Sequence, residues 1–225
     1  MMIDQDIVYA SPATVYRVLS KAGAMRKWNR TKSSKGTGFD QPTAPHEHWH
    51  IDIANIKIKG IYCFLISILD GYSRVVVHWD LRENMKDEDV GVVQEGAREL
   101  YPNEHPRYIS DNGKQFTGRE FQQFVADNNL THVTTSPYYP QSNGKLERFH
   151  KTIKSECIRK KCPISLDDAK RTIAEYIKEY NEVRLHSSIG YVTPMDRLKG
   201  MDEVILKNRD LKLENRRAER KSITR

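Results

Sequence analysis

The sequence predicts an α/β domain, and two observations carry that prediction. Three apolar, strand-like stretches follow one another between Trp49 and Leu81. After them, helix-like and strand-like periodicities alternate to about residue 181. A chain of 225 residues suits one full domain with a small flanking piece, and is ample for a sizeable core.

The chain begins with a helix-like segment at 12–22. Ser11 can cap it and Pro12 fits its first turn. Val15, Val18, Leu19 and Ala22 give it one apolar face. Residues 1–29 thus read as a partial helix-turn-helix-like segment without the partner helices such a motif needs, or equally as a lone helix docked on the core. Residues 30–46 are rich in Lys, Ser, Gly, Thr and Pro and read as a linker.

The core is expected over 47–198. Trp49–Ile56, Ile61–Leu69 and Val75–Leu81 are the three strands, joined through Lys59-Gly60 and the turn Asp70 to Arg74. The second is almost wholly apolar, as a strand covered on both faces should be. Asn84 is placed to cap a helix running to about Leu100, with Val90, Val93, Ala97 and Leu100 inward. A strand at 107–110 follows. Thr117 to Glu120 has the pattern of a capping box for a helix to about Asn128. Thr131–Thr135 is a fifth strand. Helices at 142–160 and 166–181, the latter capped by Ser165, complete the core. Residues 199–225 are dominated by charge, with Leu206, Leu211 and Leu213 too few for a core. They read as a frayed helix or disordered arm.

Composition narrows the class. The longest nearly apolar run, Ile61 to Leu69, is too short to span a bilayer, and no signal peptide is visible. The cysteines, Cys63, Cys157 and Cys162, lack metal-ligand spacing and fit a reducing cytosol. The net charge of +7 sits entirely in the flanks, since residues 46–199 hold 22 basic and 22 acidic side chains. Basic flanks around a neutral core suggest a polyanionic partner.

Three acids stand in contexts that core packing does not explain. Asp52 lies inside the first strand, where a carboxylate is costly to bury. Asp111 follows the 107–110 strand and precedes Asn112-Gly113, so it belongs at a strand's C-terminal end, where α/β sheets keep their chemistry. Glu147 stands early in a basic helix. Carboxylates with little else nearby suit a hard divalent cation, Mg²⁺ or Mn²⁺, with nucleic-acid phosphates as further ligands. Two such ions are the usual arrangement for phosphodiester chemistry. His48 and His50 share a strand face with Asp52 and could form a transition-metal site, but aromatic packing is the better reading.

The arrangement of these acids, with 35 residues between Asp111 and Glu147, resembles the D,D-35-E pattern of retroviral-integrase-like transposases. Ser110 to Gly113 (SDNG), Ser136 to Gly144 (SPYYPQSNG) and Lys154, seven residues after Glu147, extend the match. Tyr180-Asn181, Arg184, His186 and Gly190 to Pro194 (GYVTP) resemble the C-terminal signature of the same transposases in bacterial insertion sequences. The resemblance runs from about Glu47 to Leu198.

It implies an RNase H-like fold, with a mixed five-stranded sheet flanked by helices. It also implies a DNA transposase with Asp52, Asp111 and Glu147 as catalytic metal ligands. Such an enzyme cleaves DNA 3′ ends and transfers the strand into target DNA. Lys154 is expected on DNA, with Lys151, Arg148, Lys145, Asn143 and Lys114 as further DNA contacts. Expected partners are transposon ends and target DNA, a second copy of the chain, and a separate helix-turn-helix subunit or upstream segment. No membrane is expected. The alternatives are a catalytically silent DNA-binding regulator derived from a transposase, or a simple RNase H-like nuclease. A retroviral integrase is disfavoured, because no His-His-Cys-Cys zinc module precedes the core.

Overall fold

A computed structural model describes residues 1–25, 40–135 and 143–223. The first segment contains helix α1 (Pro12–Lys21). The core contains strands β1 (His48–Ile58), β2 (Ile61–Asp70) and β3 (Val76–Arg82), helix α2 (Asp87–Leu100) and strand β4 (Arg107–Ser110). Helices α3 (Lys114–Thr117) and α4 (Arg119–Asp127) and strand β5 (Thr131–Thr134) follow. The C-terminal half is helical: α5 (Gly144–Ile153), α6 (Arg159–Lys161), α7 (Leu166–Glu182), α8 (Pro194–Leu198) and α9 (Asp202–Ile223).

The five strands form one mixed sheet in the order β3-β2-β1-β4-β5. β1, β2 and β3 pair antiparallel, whereas β4 runs parallel to β1 and β5 parallel to β4. Side-chain alternation divides the core into two layers. Trp49 and Ile51 of β1 pack with Val90, Val93 and Ala97 of α2 and Phe121 and Val125 of α4 on one face. Ile56 and Ile58, on the other face, pack with Leu146, Phe149 and Ile153 of α5 and Ile173 and Ile177 of α7. This is the RNase H-like architecture. By the same alternation, His50 and Asp52 face α5.

Two close fits fix the layers. A Cβ on Gly96 would stand 2.5 Å from the His78 ring, so glycine there lets α2 lie on β3 with that ring in place. At the sheet edge, the Asn181 amide takes the place of a strand partner: it accepts from Val76 N at 2.9 Å and donates to Val76 O at 3.0 Å.

Several expected details differ. The N-cap of α2 is Lys86, two residues after Asn84, with the Asp89 carboxylate accepting from Lys86 N. Three acids in its first turn supply the favourable end charge instead. Thr117 does not cap α4. It ends α3 and donates back to Gly113 O, and Gly118 takes the cap position. The expected continuous helix over 142–160 is broken by a π-helical turn at Lys154–Ile158. It ends at Cys162 in the left-handed region, φ 49°. No residue of α1 is buried, and Val15, Val18 and Leu19 are exposed, so its apolar face is not docked on the core.

The largest correction concerns the C-terminus, which is neither frayed nor a disordered arm but a 22-residue helix. Its anchors are ionic rather than apolar, which is why counting leucines missed it. Buried Arg209 pairs with both Asp4 carboxylate oxygens and donates to the Gly190 and Tyr191 carbonyls. Asp202 pairs with Arg197 across the α8–α9 turn. The two flanks of the chain are thereby joined. Residues 30–39 of the expected linker lie outside the described residues. Among those described, no helix is long and apolar enough to cross a membrane.

Candidate active site

The parallel register of β1 and β4 pairs His50 with Ile109. Two residues further along each chain stand Asp52 and Asp111. Asp52 is mostly buried, with 18% of its side chain exposed, and its Oδ1 accepts from Ile53 N at 2.8 Å. Burial, reinforced by the charges of Asp111 and Glu147, lifts its pKa to about 7. Asp111 is exposed just past β4. Its Oδ1 accepts from Gly113 N at 2.9 Å, and a Cβ on Gly113 would stand 2.9 Å from that oxygen, so a side chain there would displace the carboxylate. Ser110, buried beneath it, bonds the Asp111 carbonyl and the His132 ring.

Helix α5 brings the third acid. Leu146, Phe149 and Ile153 bury its core stripe. Glu147, His150 and Lys154, at steps of three and four, face the sheet acids. Glu147 acts electrostatically on Asp52, and Lys154 opposes it there as a cation. Glu147 is about half exposed, with its Oε2 3.9 Å from Lys151 Nζ. The structure therefore brings Asp52, Asp111, Glu147 and Lys154 into one electrostatic neighbourhood. Among the described residues, no three His, Cys, Asp or Glu side chains converge closely enough to hold an ion unaided.

The expected DNA contacts divide between different places. Lys154 starts the π-helical turn, half-buried on the acid side. Lys145 and Arg148 face the opposite flank of α5, where they line a cleft with Arg74 and Arg184. Lys151 stands on the border, lining that cleft while approaching Glu147. Asn143 is buried at the N-cap of α5, beside His50. Lys114 is exposed at the start of α3, just after Asp111. Tyr138, Tyr139 and Gln141 of the loop before Glu147 lie outside the described residues. His50 is buried, and its pKa falls to about 3 through burial and the nearby cations, so it is neutral.

His150 carries a role that sequence reasoning passed over. Its Nε2 is 2.8 Å from Ser67 Oγ, and Ser67 is the β2 residue directly opposite Asp52. Its Nδ1 stands 3.7 Å from Asp52 Oδ2. Burial, then Lys154, pushes its pKa down to about 3, so this contact is not an ion pair. Its spacing of three from Glu147 and four from Lys154 was the available signal.

Comparison with known proteins identifies the family. Two family models, both described as an integrase core domain, match residues 42–140 and 128–194. An uncharacterized protein of insertion element IS136 from Agrobacterium fabrum is 30% identical over 137 residues, covering 58% of this chain and 70% of that protein. The chain belongs to the integrase core family. Among other family members, the transposase of insertion sequence element IS904 from Lactococcus lactis is 26% identical over 200 residues, covering 81% of this chain and 78% of that protein. The chain spans about half the length, 55% and 53%, of two further curated relatives, from insertion elements IS150 and IS476. Among solved structures, the HTLV-2 integrase catalytic core domain in complex with magnesium has a TM-score of 0.57 at 22% identity, covering 69% of this chain and 97% of that one. At that identity the likeness speaks for the fold, the integrase core's mixed sheet and helices.

Proposed function

We propose that the chain is the catalytic core of an insertion-sequence DNA transposase. The observation that carries this reading is the electrostatic coupling of Asp52, Asp111 and Glu147, brought together from β1, β4 and α5 in a chain of the integrase core family. Their chemistry fits hard divalent cations, Mg²⁺ or Mn²⁺, because every donor is a carboxylate oxygen. Three carboxylates that do not close around a point leave positions for phosphate oxygens of the nucleic acid. Two such ions, when bound, would activate the attacking hydroxyl and stabilise the leaving oxygen.

The remaining work falls to the chain's own residues. A water oxygen attacks the phosphorus at the element's end, the bond from phosphorus to the 3′ oxygen breaks, and a free 3′-hydroxyl results. That hydroxyl then attacks a phosphorus of target DNA in the same in-line manner. No covalent enzyme intermediate is involved, so no Ser, Cys or Tyr nucleophile is needed. Lys154 offsets the charge of the acids and holds a neighbouring phosphate. His150 and Ser67 orient Asp52. A second copy of the chain, engaging the other element end, completes the assembly in the bacterial cytoplasm. A helix-turn-helix segment or subunit supplies recognition of the end sequence.

The test is an oligonucleotide assay with the element's own end, drawn from the DNA flanking the gene. Cutting and joining that require Mg²⁺ or Mn²⁺ support the reading. Cutting without joining reduces it to a nuclease, and neither activity reduces it to a silent DNA-binding protein.

A further inference from the structure

The flank of α5 turned away from the acids borders a cleft of about 740 Å³. Arg74, Lys145, Arg148, Lys151 and Arg184 line it together with His186. Among the described residues, Glu156 is the one carboxylate in its wall. That carboxylate is already taken, because Arg184 Nε and Nη2 hold both its oxygens at 2.9 Å and the Tyr176 hydroxyl donates to it. Asp70, the nearest carboxylate behind Arg74 and Lys145, is occupied as well. It accepts from His46 N, Ser73 N and Ser73 Oγ.

The cations are therefore crowded: Arg184 is paired with Glu156 and Lys151 stands 3.9 Å from Glu147, while Arg74, Lys145 and Arg148 have no ion-pair partner among the described residues. Arg74 sits at φ 73°, a strained backbone for a side-chain-bearing residue. Its Nη1 is buried with no hydrogen-bond partner among the described residues. Lys145 is partly buried and donates to Gly71 O at 2.9 Å. His186 is pushed to about 4 by burial and then by Arg184, Arg74 and Arg148. Like charges held this close, with a guanidinium nitrogen left unsatisfied, are complementary to an anion.

We propose that this cleft binds the phosphodiester backbone of DNA at a position separate from the scissile phosphate. The shape favours a polyanion over a single phosphate. Lys145, Arg148, Thr152 and Ser155 run along one line of the helix and its π-helical turn, a span of roughly 15 Å at 1.5 Å per residue. That length exceeds what a single phosphate occupies, at one strand charge per ~3.4 Å of duplex axis. Ser187 and Ser188 add neutral donors on the facing wall. Glu147 and Lys154 work on the opposite flank, so one helix grips DNA on two sides, one for chemistry and one for hold. This rests on the DNA-processing reading above.

The experiment is equilibrium binding of the full chain to a labelled duplex over a range of salt, beside a cutting assay on the same preparation. Arg148→Gln removes an exposed helical cation and should leave the fold intact. Arg74→Gly removes the buried one while relieving its backbone. Each is expected to weaken binding several-fold and lower the salt slope by about one unit, whereas Arg148→Lys keeps both near wild type. Unchanged affinity and slope in Arg148→Gln and Arg74→Gly, with melting curves like wild type, would overturn the cleft. If wild type then still cuts DNA, the transposase reading survives that result. If instead the slopes fall but wild type never cuts, the cleft stands and the catalytic reading fails. Should Arg74→Gly not fold, Arg148→Gln decides alone.

Discussion

His150 joins the two central strands to the catalytic helix: its Nε2 lies 2.8 Å from Ser67 Oγ and its Nδ1 3.7 Å from Asp52 Oδ2. Because it is buried and neutral, it serves Asp52 as a positioning group and not as a counter-charge. Replacing it should disturb ion binding before it disturbs DNA binding. His150→Ala leaves Ser67 unpaired in the core, at a cost of about 1–3 kcal/mol. It should also lower activity about 10- to 100-fold, the usual cost of losing a group that orients a metal ligand. Activity rescued by raising the Mg²⁺ or Mn²⁺ concentration would mark a positioning role. A loss of stability with full activity would leave His150 as packing only.

Asp52 gives a pH dependence with a definite sign. Its folded pKa of about 7 lies above the ordinary carboxyl value of 3.8, so the metal-free folded state holds a proton that the unfolded chain has lost. Its contribution to stability is fully present below pH 4 and is lost as pH rises toward 7. Denaturant melts in chelator should show this decline. Divalent ions must displace that proton, so Mn²⁺ affinity should rise through the same window and level off above pH 7. An affinity independent of pH between 5 and 8 would remove Asp52 from the ligand set.

The joined flanks predict a stability effect far from the site. Arg209→Ala removes a buried guanidinium that pairs with Asp4 and donates to two carbonyls. It should cost about 1.5–3 kcal/mol, as for hydrogen bonds to charged groups, and expose residues 1–10 to protease. Arg209 holds the Asp4 carboxyl down to about 2, below its ordinary value of 3.8. The contribution is therefore present above pH 4 and lost as pH falls toward 2. Limited proteolysis of Asp4→Asn at neutral pH, expected to match Arg209→Ala, checks the pairing.

Lys154 is separable from the cleft cations. Lys154→Ala should reduce the salt slope of binding by about one unit, as for one lost phosphate contact. Because Lys154 also lowers the Asp52 pKa, its removal should push the rise in Mn²⁺ affinity to higher pH. Loss of both effects would return Lys154 to a solvated surface role.

The sheet was legible in the sequence because its strands are continuous apolar runs bounded by clear turns, as at Ile61–Leu69. The acids were legible because they violate rules that core residues obey, Asp52 most plainly. What escaped depends on contacts between residues distant in sequence. Arg74 reads as a turn residue until Lys145 and Arg184 are seen beside it. His150 reads as an ordinary helical residue until Ser67 and Asp52 meet it. α9 reads as a charged tail because its anchor, Arg209, bonds a residue 205 positions away. The π-helical turn at Lys154–Ile158 left no periodicity signal, since it changes the helical phase only locally.

The most direct measurement is strand transfer by Glu147→Gln beside wild type, with duplex affinity measured on the same preparations. The amide keeps the shape of Glu147 but loses the negative charge that, in the proposed mechanism, helps hold a second cation. The account predicts that cutting and joining are abolished while DNA affinity stays close to wild type. Joining by Glu147→Gln at a rate near wild type would contradict it.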